Sequence, residues 1–217
     1  MIKKILVITD SLGLPRTKPQ ECKYEDTWPV LLKNKTDVQV HQVSIGGATV
    51  TELYEQLMGY HISFNPNVII VQAGIVDCAP RAFTKFEISF LTKYKISAYL
   101  LKIITRRYSS FLRRLRGITY TKPQVFKKIV ERISDLKKEG IEIYWIGIAP
   151  SNLEYEKKVP NITKNISIFN NIIENRFHKE FISIDNIPNT GIMSDHFHLN
   201  KVGNEYVFNC IMKQSNA

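Results

Sequence analysis

Residues 4–13 read KILVITDSLG. Lys4 to Thr9 is a short apolar run rich in β-branched side chains, the pattern of a strand buried on both faces. Asp10, Ser11 and Gly13 follow at once, so the strand breaks into a polar turn. The same kind of run recurs down the chain. Asp37–Val43 (DVQVHQV) alternates with period two, and Asn67–Ala73 (NVIIVQA), Ile141–Ile148 (IEIYWIGI) and Phe181–Ile184 read as three more strands. Helical segments lie between them: Thr27–Lys33 with Thr27 as N-cap, Thr49–Met58, Pro123–Lys138 stopping at Gly140, Ile162–His178 and Lys201–Lys213. Strands alternating with helices predict an α/β fold, a parallel sheet of about five strands with helices on both faces.

The 217 residues suit one domain, 1–217, and show no repeat or linker. Three widely spaced cysteines, Cys22, Cys78 and Cys210, exclude a disulfide framework or a zinc motif and point to a reducing compartment. The apolar run Ile5–Ile8 is too short for a signal peptide, and no stretch is long enough to span a bilayer. The expectation is a cytoplasmic protein, peripheral at the inner membrane surface at most, in which the sequons at Asn161 and Asn165 carry no meaning. The net charge of +10 is local: Ile88–Val130 holds 11 Lys/Arg and no Asp or Glu, leaving 19 basic and 20 acidic residues elsewhere. This segment is expected to be a helical insertion at about 84–120. Leu100, Ile103, Ile104, Phe111, Leu112 and Leu115 would form its apolar stripe, flanked by Lys102, Arg106, Arg107, Arg113, Arg114 and Arg116. It reads as a solvated helix over the site, as a contact for an anionic glycan or an anionic membrane surface, and last as a nucleic-acid patch.

In a parallel α/β sheet, ligands bind beyond the carboxyl ends of the strands. Three loops fall there: Asp10-Ser11, Ser44–Thr49 and Gly74–Asp77. A serine hydroxyl attacks an ester only with a base beside it and a third group orienting that base. The segment SDHFHLN supplies Asp195 and His198 three positions apart, on a turn that can aim both at Ser11. The N–H groups of Ser11 and of Gly47, in the glycine turn Gly46-Gly47, are the natural oxyanion donors.

These blocks resemble the GDSL or SGNH hydrolases. ITDSLG matches the first block with Thr9 in place of a glycine, Gly47 in GGAT matches the second, Gly74-Ile75-Val76-Asp77 the third, and Asp195-His196-Phe197-His198 the fifth. The resemblance implies a three-layer αβα, flavodoxin-like fold and ester hydrolysis or acyl transfer through an acyl-serine. It implies Ser11 as nucleophile, His198 as base, Asp195 as orienter and no metal or organic cofactor. Val76 stands where the family has an oxyanion-donating asparagine; Arg81 and the amide of Asp77 are the candidate substitutes. Asp10, Asp77 and Arg81 are the candidate substrate contacts.

Plainer readings stand beside these. Ser11 or Asp195 could cap a helix, Gly46-Gly47 could be a simple turn, and His196 could serve as base or as a surface or supporting group. Cys78 reads as a small buried residue rather than a reactive thiol, and His41, His61 and His178 read as structural. The leading function is an esterase acting on an acylated carbohydrate or glycolipid. The alternatives are a polysaccharide O-acyltransferase, a non-catalytic binder of a glycan or lipid head group, and a nucleotide binder, the last disfavoured because TDSLGLPR is no phosphate loop.

Overall fold

A computed structural model describes residues 3–35 and 37–215. Strands β1 (Lys4–Thr9), β2 (Gln39–Ser44), β3 (Val68–Gln72), β4 (Glu142–Ile146) and β5 (Phe181–Ile182) form one sheet in the order β2-β1-β3-β4-β5, and every pairing is parallel. The chain reverses its direction of winding at β1, which pairs with both β2 and β3, so the crevice at the switch point opens at the carboxyl end of β1. Helices α1 (Trp28–Lys35) and α9 (Lys201–Ser215) pack on each other, as do α2 (Val50–Gln56), α6 (Pro123–Asp135) and α8 (Ile162–Phe177). These two groups flank the sheet. The core gathers Leu6, Ile8, Ile69, Ile143 and Trp145 from the strands with Trp28, Phe126, Phe169 and Phe177 from the helices. β1 is buried from Ile5 onward, which is why its sequence is an apolar run rather than an alternation.

The elements differ from the expectations in ways that long-range partners explain. The Thr27 hydroxyl does not cap α1: it donates to Tyr24 O (2.8 Å), and Asn204 of α9 accepts from the Trp28 N–H (3.0 Å) instead. Thr49 is the N-cap of α2, in a capping box with Glu52. β5 stops at Ile182, because only β4 pairs with it at the sheet edge. A short helix, α3 (Ile75–Cys78), occupies most of the stretch Gly74–Asp77 read as a loop, and a second, α7 (Leu153–Lys158), lies where the sequence reading assigned no element.

The basic segment forms α4 (Lys85–Thr92), opened by a Thr84–Glu87 capping box, and α5 (Lys95–Arg116). α5 docks through its C-terminal half: Ser110 and Arg113 donate to the carbonyls of Lys157 (3.0 Å) and Lys158 (2.9 Å), and Arg116 pairs with Glu87 (2.7 Å). Five of the six residues of its expected apolar stripe are exposed, and Leu112 is half-buried. Leu100, Ile103, Phe111 and Leu115 are 43–70% exposed. No helix among the described residues is long and apolar enough to cross a membrane.

Candidate active site

Where β1 ends, Asp10 caps the turn Ser11–Gly13 by accepting from the Leu12 N–H (2.9 Å). The cap is therefore Asp10, and the Ser11 hydroxyl is left for another partner. That partner is His198, whose Nε2 lies 2.9 Å from Ser11 Oγ. His198 Nδ1 lies 2.7 Å from Asp195 Oδ2. The other Asp195 oxygen accepts from the N–H groups of His198 (3.1 Å) and Phe197 (3.3 Å), so Asp195 caps its own loop and not α9. Burial works to raise the Asp195 carboxyl, but the His198 ring and these amides outweigh it and hold the group below its ordinary value. The loop is pinned at its base by the Ile192–Leu199 bridge and by Met193 N–H donating to His198 O (2.8 Å). Ser11 and His198 are 6% and 5% exposed, so the pair faces a nearly closed site.

Gly47 has φ of +74°, which places its N–H at the rim in a conformation that side chains other than glycine disfavour. The N–H groups of Ser11 and Gly47 take no partner among the described residues. Val76 is buried and its side chain offers no donor. Arg81 turns a guanidinium N–H onto Val76 O (3.2 Å), and the Asp77 N–H is without a partner among the described residues.

The expected substrate contacts of Asp10 and Asp77 need correction. Both are fully buried and neither borders a cavity at the site. Asp77 accepts from the Val50 N–H (3.0 Å) and the Thr121 hydroxyl, tying the start of α2 to the segment before α6. Asp10 holds the serine turn. Burial raises the Asp10 carboxyl to about 7 and the Asp77 carboxyl to about 6. The folded protein thus binds protons that the unfolded chain has released above an ordinary carboxylate value, so stability declines as pH rises from about 4 to 7. Urea unfolding at pH 5 and pH 8 is expected to show a loss on the order of a few kcal/mol at the higher pH, reduced in Asp10→Asn. A flat profile in the wild type would contradict this.

A cavity of about 330 Å³ adjoins the triad on its Asp195 side, walled by Ile75, Val76, Arg81, Arg113, Tyr155 and Phe197, among others. A larger groove, about 530 Å³, lies under residues 14–23 and contains none of the triad. His196 is not a surface group. It is buried at φ +77°, its Nε2 lies 2.7 Å from Lys158 Nζ, and its ring stacks on Tyr155. It has no hydrogen bond to Ser11 among the described residues, and the ring beside the Ser11 hydroxyl is that of His198. Cys78 is buried and its thiol is pushed up by that burial, which disfavours the reactive thiolate. His41 and His61 pair with each other at 3.1 Å. Tyr155 and Lys158 are site residues that sequence reading missed. Asn152, which caps α7 by accepting from the Tyr155 N–H (2.8 Å), was the available signal for the helix that carries them.

No protein-family model matches the chain, and no curated protein matches it. Solved structures do. A carbohydrate acetylesterase family member from Sinorhizobium meliloti superposes with a TM-score of 0.66 at 15% identity, over 99% of this chain and 98% of that one. A lipase/acylhydrolase from Enterococcus faecalis gives 0.64 at 12% identity, over 99% and 97%. A G-D-S-L family protein from Desulfitobacterium hafniense DCB-2 gives 0.59 at 14% identity, over 98% and 99%. The fold is that of the SGNH hydrolases. At these identities the likeness establishes the architecture alone. In this fold, the segments that resemble the family's first, second, third and fifth blocks sit at the ends of β1, β2 and β3 and just before α9.

Proposed function

We propose that this protein cleaves acyl esters of a carbohydrate or glycolipid through an acyl-enzyme on Ser11. The observation that carries the reading is the hydrogen-bonded chain Ser11–His198–Asp195, with links of 2.9 and 2.7 Å, beside two N–H groups free to receive an oxyanion. Ser11 Oγ bonds to the acyl carbon as its proton passes to His198 Nε2. The N–H groups of Ser11 and Gly47 hold the negative oxygen of the tetrahedral intermediate. When the ester C–O bond breaks, His198 hands the proton to the departing alcohol. Water then attacks the acyl-serine, gives a proton to His198, and the second collapse returns that proton to Ser11 and frees the acid. Asp195 keeps the imidazole in the tautomer that accepts at Nε2 and stabilises the imidazolium. With Val76 in the third block the oxyanion has one donor fewer than the family pattern, a difference worth on the order of 10²–10³ in rate where such donors have been removed.

A sugar hydroxyl in place of water would make the same site an O-acyltransferase; the near-closure of Ser11 favours keeping this reading. A pure binding protein would not need an activated serine. A fluorophosphonate probe is expected to label Ser11 and to leave Ser11→Ala unmodified; folded wild-type protein that stays unlabelled would remove both catalytic readings.

The exposed α4–α5 pair is proposed to rest on an anionic lipid surface. Phe86, Phe90, Leu100, Phe111 and Leu115 are exposed together with Lys102, Arg106, Arg107 and Arg114, apolar side chains and cations on the same helix pair. The protein is expected to sediment with phosphatidylglycerol vesicles at low salt and not with phosphatidylcholine vesicles, and Arg106→Glu/Arg107→Glu is expected to abolish it. Indifference to lipid charge, or concentration-dependent dimers that bury the pair, would count against it.

A further inference from the structure

The cavity beside the triad carries charges that ester chemistry does not use. Arg81, Arg113 and Lys158 converge on it from three separate parts of the chain: the segment after α3, the last turn of α5, and the end of α7. No carboxylate lies within ion-pair distance of any of the three among the described residues. The guanidinium Nε atoms of Arg81 and Arg113 are both buried and without a hydrogen-bond partner. Each arginine is nevertheless held in place: Arg81 by Val76 O (3.2 Å) and the face of Tyr120, Arg113 by Lys158 O (2.9 Å). Lys158 is positioned by His196 Nε2 at 2.7 Å. The one carboxylate in the wall, Asp195, is committed to His198. Burial first, and the nearby Arg81 second, lower the affinity of Arg113 for its proton.

Two half-buried guanidiniums converging on one cavity with no carboxylate partner are unfavourable unless an anion enters. We infer that this cavity is an anion subsite, and that the substrate of Ser11 carries a carboxylate or phosphate on the unit that bears the ester. Planar guanidinium forks match the oxygens of either group, and Lys158 adds a third donor at the mouth. The acyl group would then be removed from, or placed on, an acidic sugar or a sugar phosphate, with the anion seated beside Phe197 while the ester lies at Ser11. This rests on the acyl-ester reading for what happens at Ser11, but the subsite itself is testable without turnover.

Ser11→Ala protein, which holds esters intact, is titrated calorimetrically with three probes: an O-acetylated uronic acid glycoside, an O-acetylated hexose phosphate and a neutral O-acetylated hexose glycoside. At least one anionic probe is expected to bind about tenfold tighter than the neutral one, and the identity of the better one separates carboxylate from phosphate. Adding Arg113→Gln is expected to reduce that preference about fivefold or more, with Arg113→Lys restoring part of it. Equal affinity for charged and neutral probes, or a preference unchanged by both Arg113→Gln and Arg81→Gln in proteins of normal thermal unfolding, overturns the subsite. Failure of the esterase reading would appear elsewhere, as wild-type protein that binds the anionic ester but never cleaves or transfers its acyl group.

Discussion

Ser11→Ala is expected to lower turnover of p-nitrophenyl acetate by about 10⁴-fold or more while leaving circular dichroism and thermal unfolding unchanged. The size follows from the geometry. In the proposed mechanism Ser11 Oγ takes the acyl group, and its 2.9 Å bond to His198 Nε2 is the one side-chain hydrogen bond of that hydroxyl among the described residues. Alanine removes the covalent path and leaves only the oxyanion donors and the cavity. Asp195→Asn should lose less, about 10²–10⁴-fold, because the amide keeps the shape but favours the wrong imidazole tautomer. The side chain of Asp195 is 25% exposed, so water can replace part of its stabilisation. A Ser11→Ala enzyme that keeps its rate within about twofold would show that the hydrolysis occurs elsewhere.

Gly203→Ala is expected to destabilise the protein by about 3 kcal/mol and to disturb the triad with it. A Cβ at position 203 would stand 2.2 Å from Gly191 O and 3.0 Å from Gly191 C. These are backbone atoms, which cannot swing aside as a side-chain tip can. Gly191 O also accepts from the Asn200 N–H (3.1 Å), and Ile192 beside it forms the bridge to Leu199 that pins the Asp195–His198 loop. Relief of the clash must move either α9 or that loop, so urea midpoint and esterase rate should fall together. Gly59→Ala serves as the contrast: a methyl there would meet nothing within 4 Å, and stability should stay within about 0.5 kcal/mol. Equal behaviour of the two variants would contradict the close approach of α9 to residue 191.

Much of the architecture was legible because the signals were local. The apolar run Lys4–Thr9 announced a buried strand, the alternation in Asp37–Val43 a second strand, and Pro123 and Gly140 bracketed a helix. Ser11, Gly47, Asp195 and His198 were legible as a set because parallel α/β topology brings strand ends to one rim. The errors lay where a partner distant in sequence decides the matter. Asp10 and Asp77 look like site carboxylates in a string, yet one caps the serine turn and the other is consumed by Val50 and Thr121. Thr27 looks like a cap, yet Asn204 takes the Trp28 N–H from 176 residues further on.

The sequence by itself determined the alternating α/β order, the candidate nucleophile with its base, and the concentration of positive charge between Ile88 and Val130, because each is written in spacing and composition along the chain. Only the tertiary structure decided that Ser11 and His198 meet at 2.9 Å, that five of the six residues of the α5 apolar stripe are exposed, and that Arg81, Arg113 and Lys158 share one cavity beside Asp195. The physical reason is the same in each case. Spacing reports which face of an element a residue occupies, but what fills the space opposite that face is set by packing across the whole chain.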